Sequence, residues 1–264
     1  MRRIVHLSDL HYGRVDARLE APLLRTITDL APDLVVVSGD LTQRARHEQF
    51  EDARRFLDAL PGPVLTVPGN HDTPLDNLPV RLFRPFSRYK RYISKDLEPV
   101  HRDAEMVVAG VNTVNRFSWQ RGKIGRGRLS RLSARLSGAA ERLRVAVLHH
   151  PLEHGPQVNK RLMRGAADAL EALSNCGADV VLSGHLHVAY AEPFRTADGL
   201  LFVQAGTGLS TRVRAGDGNS FNQLDHSGGR LKVVTWAASF TPAPVFAPAV
   251  TSAWERRGDV WLRA

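Results

Sequence analysis

Five short polar motifs contain the residue types that bind metal ions in proteins, and they follow one another in a fixed order along the chain. They are Asp9-Leu10-His11, Gly39-Asp40, Gly69-Asn70-His71-Asp72, His149-His150-Pro151 and Gly184-His185-Leu186-His187. Each motif stands where an apolar run ends and a Gly, a Pro or a polar residue follows. One such motif alone is a weak signal. Five of them indicate a single site that is assembled from the ends of several strands.

The candidate ligands are carboxylate oxygens, an amide oxygen and imidazole nitrogens, without a thiolate. This mixture suits manganese, iron, zinc or cobalt, whereas structural zinc sites prefer Cys and His in a tetrahedron. The motifs hold too many ligands for one ion, and two ions about 3.5–4 Å apart that share a carboxylate would use them all. Such a pair polarises a phosphoryl group and lowers the pKa of a bridging water. The motifs therefore predict hydrolysis of phosphate esters.

The apolar patterns predict which elements position the first three motifs. Residues 3–8, 33–38 and 64–67 have the pattern of short strands, and amphipathic helices are predicted over 17–31 and 50–60. Alternating strands and helices predict βαβ units and a largely parallel sheet with helices on its faces. Ligands of such sheets bind beyond the carboxyl ends of the strands, where the motifs fall.

The second half of the chain continues this alternation and then changes. Further strands are predicted over 106–111, 145–148 and 179–183. After residue 187 the pattern becomes strands joined by turns, with Ser227-Gly228-Gly229 as a hairpin signal. Residues 245–264 are predicted to be a C-terminal extension that adds an edge strand. We expect one domain over residues 1–264, because no long linker divides the chain.

Residues 78–97 interrupt this rhythm, with Phe83, Phe86, Tyr89 and Tyr92 at every third position and basic residues between them. Aromatic and basic residues together are one signature of nucleic-acid contact. The alternative is a helical segment that packs its aromatic stripe on the body of the protein and leaves the arginines in solvent. We favour the packed stripe and predict a small helical cap near 78–97.

Composition limits the class of protein further. The 264 residues carry a formal charge of +9 and a single cysteine, Cys176, which excludes an internal disulfide and fits a reducing cytoplasm. The charge steers anionic substrates, but its basic residues are spread along the chain, so a nucleic-acid partner is not favoured. An apolar run of about 18 residues is lacking, which argues against a membrane span, and the N-terminus has the pattern of a strand.

The five motifs resemble those of the calcineurin-like metallophosphoesterases, and the resemblance extends from residue 4 to about residue 187. It implies a four-layer α/β/β/α sandwich whose two sheets hold the metals between them. The implied ligands are Asp9, His11 and His187 for one ion and Asn70, His149 and His185 for the other, with Asp40 bridging.

The resemblance also implies roles around the metals. His71 would protonate the leaving oxygen or stabilise charge in the transition state, with Asp72 orienting its imidazole. Predicted substrate contacts are Asn70, His71, His154, Arg212 and Arg214. His6 is expected to be a core residue or a support for the ligands, and His150 is expected to line the pocket or pack beneath it.

Within the superfamily the chain is most similar to the class III cyclic nucleotide phosphodiesterases and glycerophosphodiesterases. The shared features are its compact length, the His-His-Pro motif and the late segment over 205–214 followed by Ser220-Phe221-Asn222. This branch implies hydrolysis of cyclic nucleotides or other small phosphodiesters by a metal-activated hydroxide, and by analogy a homodimer. A phosphomonoesterase or nucleotide-type pyrophosphatase is the first alternative, ahead of a nuclease and a non-catalytic metal-binding module.

Overall fold

A computed structural model describes residues 1–139, 141–154, 161–213 and 218–264. The helices are α1 (Ala17–Leu30), α2 (His47–Ala59), α3 (Leu78–Phe83), α4 (Ser87–Tyr92), α5 (Arg126–Leu136) and α6 (Ala166–Asn175). The first seven strands are β1 (Arg2–Leu7), β2 (Leu34–Val37), β3 (Val64–Thr66), β4 (Val100–Arg102), β5 (Met106–Gly110), β6 (Leu143–Val147) and β7 (Val180–Ser183). The others are β8 (Tyr190–Phe194), β9 (Ala197–Gln204), β10 (Ser220–Ser227), β11 (Arg230–Ser239), β12 (Val245–Arg257) and β13 (Val260–Arg263).

These strands form two sheets of mixed direction within the described ranges. The first has the order β13-β12-β11-β10-β1-β2-β3, and the second has the order β4-β5-β6-β7-β9-β8. In the first sheet β1, β2 and β3 run parallel, and β10 pairs antiparallel with β1. In the second sheet β5, β6, β7 and β9 run parallel between two antiparallel edge strands. The carboxyl ends of β5, β6, β7 and β9 therefore lie together at one edge of the second sheet. The carboxyl ends of β1, β2 and β3 lie together at one edge of the first sheet.

Strand β2 shows why the sheets lie face to face. Its residues are all buried, and alternate side chains point to opposite faces of the sheet. Val35 and Val37 pack with α1 and α2, whereas Leu34 and Val36 pack against residues of the second sheet. Strand β2 is therefore buried on both faces. The βαβ pattern predicted helices on both faces, but each sheet has helices on one face because the other face packs on its partner sheet.

The second sheet repeats this division and completes the layers. Val107 and Ala109 of β5 pack with Leu129, Leu132 and Leu136 of α5. Met106 and Val108 lie in the cluster between the sheets. The resulting order is helices, sheet, sheet, helices, which is the predicted α/β/β/α sandwich. Burial of the intervening apolar side chains, at about 25 cal/mol per Å² of apolar area, holds the two halves together.

The segment near 78–97 contains α3 and α4, in agreement with a small helical cap. Tyr89 is fully buried, with its ring 6.3 Å from that of Phe50 and its hydroxyl 2.8 Å from the Thr66 hydroxyl. Tyr92 stacks on the same Phe50 ring with centroids 6.2 Å apart. The Arg88 guanidinium donates to the Ala45 carbonyl at 2.7 Å. Tyr89 and Tyr92 thus pack on the body as predicted, but Phe83 is 81% exposed and Arg81 is buried instead of solvated.

The C-terminal residues do more than extend an edge. Strands β10 and β11 form a hairpin whose turn lies between Ser227 and Arg230, at the predicted position. Strand β13 is the edge of the first sheet, but Trp254 of β12 and Trp261 of β13 lie buried in the cluster between the sheets. These two strands therefore close one end of the central layer. Among the described helices, all are too short or too polar to cross a lipid bilayer.

Candidate metal centre

All seven predicted metal ligands lie at the carboxyl ends of parallel strands, between the two sheets. Asp9 and His11 follow β1, Asp40 follows β2, and Asn70 follows β3 in a 3-10 turn. The second sheet contributes the other three, with His149 after β6 and His185 and His187 after β7. Because each sheet brings part of the set, the centre forms only when the two sheets pack together.

The first cluster consists of Asp9, His11 and His187, as the resemblance implied. Asp9 Oδ1 lies 3.6 Å from His11 Nε2 and 3.2 Å from His187 Nε2. The two imidazole nitrogens are themselves 3.2 Å apart. Asp9 and His11 are fully buried, and their donor atoms lie within 4.8 Å of one another together with that of His187. Lone pairs of one carboxylate and two imidazoles thus converge on one point.

The second cluster is built around His149. Its Nδ1 donates to the Ser38 carbonyl at 2.8 Å, which turns Nε2 toward the site. Nε2 lies 3.2 Å from Asn70 Oδ1 and 3.3 Å from Asp40 Oδ2. The His185 ring lies 5.2 Å from that of His149, and donor atoms of His149, His150 and His185 lie within 4.8 Å of one another. A hydrogen bond on the distal ring nitrogen is the usual way in which a metal-binding histidine is oriented.

Asp40 lies between the two clusters. Its Oδ2 is 3.3 Å from His149 Nε2 and 3.9 Å from His11 Nε2, one histidine from each cluster. Its Oδ1 accepts a hydrogen bond from the His71 backbone N–H at 2.8 Å. One carboxylate reaching both clusters is the arrangement that two neighbouring cations require.

The charges of the centre fit divalent cations. Asp9 and Asp40 are buried, and burial acts to raise the pKa of each carboxyl group. Neighbouring histidines outweigh burial and hold both pKa values below the usual range, while the Asp40 charge raises the pKa of His149 to about 9 against burial. Asp9 Oδ1 is buried and accepts no hydrogen bond from any described residue. The buried carboxylates therefore need positive charge beside them, which metal ions bound to these residues would provide.

The backbone is bent to turn the ligands inward. Seven non-glycine residues of the described chain have a positive φ, and five of them are predicted ligands. These are Asp9, His11 and Asp40 with φ of 53°, His185 with 73° and His187 with 61°. Such left-handed conformations cost on the order of 1–3 kcal/mol each and persist where the surroundings enforce them. At Asp9 the Gly39 carbonyl accepts the backbone N–H at 3.0 Å, and Asp9 Oδ2 accepts that of His185 at 2.8 Å.

Gly69 is required at this site because the backbone passes directly over Asp40. A Cβ atom at Gly69 would lie 2.1 Å from Asp40 Oδ1, far inside van der Waals contact. We expect Gly69→Ala to lower the free energy of unfolding by about 1–3 kcal/mol through overpacking, and to reduce bound metal by displacing Asp40. Thermal unfolding and metal analysis of the same preparation measure both effects.

Gly125→Ala is the matched control for this substitution. Gly125 has a similar extended backbone, with φ of −110° against −101° for Gly69, and a Cβ there would meet nothing within 4 Å. Its replacement should change stability by less than about 0.5 kcal/mol. Equal metal content and stability in the two variants would show that the close approach at Gly69 does not shape the centre.

His71 faces the cavity through one nitrogen and is held by the other. Nδ1 donates to the Gln43 carbonyl at 2.8 Å, and Nε2 lies 3.2 Å from Nη1 of Arg212. Burial lowers the pKa of His71, and the positive charge of Arg212 acts in the same direction. The Gln43 side chain lies 3.4 Å from the same Nη1. Gln43 thus positions both His71 and Arg212, a role that sequence reasoning missed because the first contact uses a backbone carbonyl.

The orienting role predicted for Asp72 is wrong. Its carboxylate accepts backbone N–H groups from Leu41 at 3.2 Å, Thr42 at 2.9 Å and Gly69 at 2.9 Å. Burial and the charge of Asp40 nevertheless raise the pKa of Asp72 to about 6. Asp72 therefore turns away from the His71 ring and ties the loop that carries Asp40 to the turn that carries Asn70.

Two other histidines pack behind the ligands. His6 is fully buried within β1, where its Nε2 lies 2.9 Å from the Ser38 hydroxyl. His150 Nδ1 lies 2.8 Å from the Thr113 hydroxyl, and its ring is 4.9 Å from that of His149 and 4.8 Å from that of His185. Both residues support ligand positions from below, as expected.

A cavity of about 330 Å³ opens above the centre. It is lined by Asp40, Asn70, His71, Gln120, His185, His187, Arg212 and Val213. Gln120 was not predicted, because an isolated glutamine in a polar loop carries no motif. Arg212 is also held by its carbonyl, which accepts from His187 Nδ1 at 2.8 Å. Of the other predicted substrate contacts, His154 is half-buried and lies outside this lining, and Arg214 lies outside the described residues.

The fold and the centre together define a phosphoesterase of the two-sheet type. Residues 2–189 match the family model for calcineurin-like phosphoesterases, and the chain belongs to this family. It is 39% identical over 80 residues to glycerophosphodiester phosphodiesterase GpdQ from Enterobacter lignolyticus, a match over 26% of this chain and 29% of GpdQ. It is 27% identical over 214 residues to a probable cyclic nucleotide phosphodiesterase from Pseudoalteromonas sp., covering 74% and 75% of the two chains.

A solved structure supports the fold independently. Purple acid phosphatase PPD1 from yellow lupin superposes with a TM-score of 0.65 at 14% identity, over 95% of this chain and 53% of that protein. Identity at this level shows a shared fold alone. Together with the family match it confirms the sandwich architecture.

Proposed function

We propose that this protein is a phosphodiesterase with two metal ions, which hydrolyses cyclic nucleotides or other small phosphodiesters. The observation that carries the proposal is the position of Asp40, buried between two clusters of nitrogen and oxygen ligands at the floor of a cavity. Asp9, His11 and His187 would hold one ion, and Asn70, His149 and His185 the other. Ions bound there would polarise the phosphoryl group and lower the pKa of a bound water.

The groups of the chain that face the cavity suit an anionic ester. Arg212 presents a planar guanidinium, which suits bidentate contact with phosphate oxygens. Its Nη1 lies 3.2 Å from His71 Nε2, so the leaving oxygen of a phosphate bound by Arg212 would lie close to His71. Gln120 adds an amide that can bind a polar substituent of the ester. These contacts position the substrate and stabilise the charge that develops on its oxygens.

The named relatives favour a diester over a monoester. The relatives at 39% and 27% identity bear phosphodiesterase names, although each match covers only part of the proteins compared. The cavity of about 330 Å³ lies at the lower end of the range for small-molecule sites, so it suits a compact ester of either type.

The first experiment compares hydrolysis of bis-p-nitrophenyl phosphate with that of p-nitrophenyl phosphate, with manganese and with chelator. We expect a preference for the diester of at least about tenfold in kcat/KM, and loss of activity with chelator that added metal restores. A preference for the monoester would contradict the phosphodiesterase proposal and favour the first alternative. Activity that survives complete removal of metal would contradict the metal-dependent mechanism itself.

A further inference from the structure

One segment of the chain is basic and lacks acidic residues. Residues 106–140 contain seven Arg and Lys residues and no Asp or Glu. A second such segment, residues 77–95, contains six Arg and Lys residues and no Asp or Glu. Although basic residues occur throughout the chain, the lack of acidic residues makes residues 106–140 a candidate surface for a polyanion.

The structure places five of these cations around one groove, which we call the basic groove. It has a volume of about 650 Å³ and lies between the segment after α3 and the start of α5. Its residues are separate from those that line the cavity of the metal centre. The cations along it are Arg116, Lys123, Arg126, Arg128 and Arg131.

Few of these cations are neutralised within the described chain. Arg128 and Arg131 share a single carboxylate, that of Glu98, at 3.1 and 3.2 Å. Lys123 and Arg126 are exposed and form no ion pair with any described residue. Helix α5 moreover begins with basic residues and has no acidic residue in its first turn. The helix dipole favours negative charge at this N-terminal end. Unbalanced charge at this position is stabilised by an anionic partner.

Aromatic rings accompany the cations. Phe117 is 75% exposed, and the Arg116 guanidinium lies 5.2 Å from the centre of its ring. Phe86, half-buried, contributes a second ring to the same groove. Arg116 is held in place by the Leu82 carbonyl, which accepts from its Nη1 at 3.0 Å. Aromatic faces interleaved with cations in a groove are the combination that binds the bases and phosphates of a single strand.

We propose that the basic groove binds single-stranded nucleic acid. Phosphates would contact Lys123 and Arg126, and unstacked bases would stack on Phe117. A concave groove admits a flexible strand, and the exposed Phe117 ring offers a face on which a base can stack. In the segment 78–97, for which nucleic-acid contact was the alternative, Arg81 and Tyr89 are buried and cannot contact a strand.

The test measures anisotropy of a labelled single-stranded phosphorothioate oligonucleotide of about 12 nucleotides, which resists cleavage, with the metal-loaded protein. In the double variant Lys123→Ala/Arg126→Ala we expect affinity at low salt to fall at least about tenfold. The slope of log Kd against log salt should decrease by about 1.4, because each phosphate that the protein no longer neutralises lowers it by about 0.7. Neither residue touches the metal centre, so hydrolysis of bis-p-nitrophenyl phosphate should be unchanged.

The matched control is Arg25→Ala/Lys232→Ala, which removes the same two charges from exposed positions on α1 and β11. It should retain oligonucleotide affinity within about twofold. An equal loss of affinity in both double variants would show that total charge alone attracts the strand, and would overturn the proposal. The proposal would also be overturned if the unaltered protein did not bind the oligonucleotide. It would be overturned as well if the protein bound phosphatidylserine vesicles but no oligonucleotide, and if Lys123→Ala/Arg126→Ala abolished the vesicle binding.

Discussion

Replacement of Asp40 by alanine is expected to lower kcat/KM for bis-p-nitrophenyl phosphate by about a thousandfold or more. Asp40 Oδ2 lies 3.3 Å from His149 and 3.9 Å from His11, so the substitution removes the carboxylate that reaches both clusters. Stabilisation of transition-state charge by metal ions amounts to several kcal/mol, and each 1.36 kcal/mol corresponds to tenfold in rate. Kinetics and metal analysis of the same preparation should show activity and bound metal falling together.

Asp58→Ala is the control for Asp40→Ala. Asp58 is an exposed carboxylate at the end of α2, paired with Arg54, and its removal should leave the rate within about twofold. If Asp40→Ala does not fold, Asp40→Asn keeps an acceptor for the His71 backbone N–H while removing the charge. A metal-depleted Asp40→Ala protein with full activity would defeat the two-metal proposal.

The second large effect is expected for His71→Ala, which should retain metal and lose about 10²- to 10⁴-fold in kcat. His71 Nδ1 is occupied by the Gln43 carbonyl and Nε2 faces Arg212 at the cavity, so the ring is placed for contact with substrate. Donation from Nε2 requires the imidazolium form, because Nδ1 holds the proton of the neutral ring. The loss should be larger for diesters with alkyl leaving groups than for p-nitrophenyl esters, because a poor leaving group depends more on this proton donor. Comparison of the two ester types measures this dependence.

His47→Ala supplies the matched control for the histidine substitution. His47 is exposed at the start of α2, where its Nδ1 lies 2.9 Å from the Tyr92 hydroxyl, and its removal should leave turnover unchanged. A normal rate in His71→Ala would exclude His71 from the chemistry. Loss of bound metal in that variant would instead make His71 a ligand, since its ring also lies near His11 and Asp40.

Sequence reasoning located the ligands because their position follows from a general property of parallel strands. Carboxyl ends of neighbouring parallel strands meet at one edge, so polar residues that end apolar runs converge there. It could not identify Gln43, whose backbone carbonyl holds His71, because that contact does not depend on the side chain. Sequence reasoning also placed Asp72 beside the His71 ring, because the two residues are adjacent in the chain. The Asp72 carboxylate instead accepts backbone N–H groups of the loop that carries Asp40, and Gln43 holds the His71 ring.

The layers of the fold were accessible from sequence only in part. A continuous apolar strand such as Leu34–Val37 is buried on both faces, but its pattern is the same whether helices or a second sheet cover it. The pairing of β10 with β1 joins residues more than two hundred positions apart, which no local pattern reveals. Strand β12 is largely exposed and contains Pro248, which are features of an edge strand, although β13 forms the edge beyond it.

Five predicted ligands have a left-handed backbone that lowers the stability of the fold, namely Asp9, His11, Asp40, His185 and His187. The strain is tolerated because these side chains are needed at the metal centre. Glycine at any of these positions would relax the backbone, and selection for heat resistance alone would favour such changes. Each would also remove a predicted ligand, so greater thermal tolerance would come with a damaged centre. Stabilised variants of this protein should therefore be sought in the helices and outer strands, with the five bent ligand positions left unaltered.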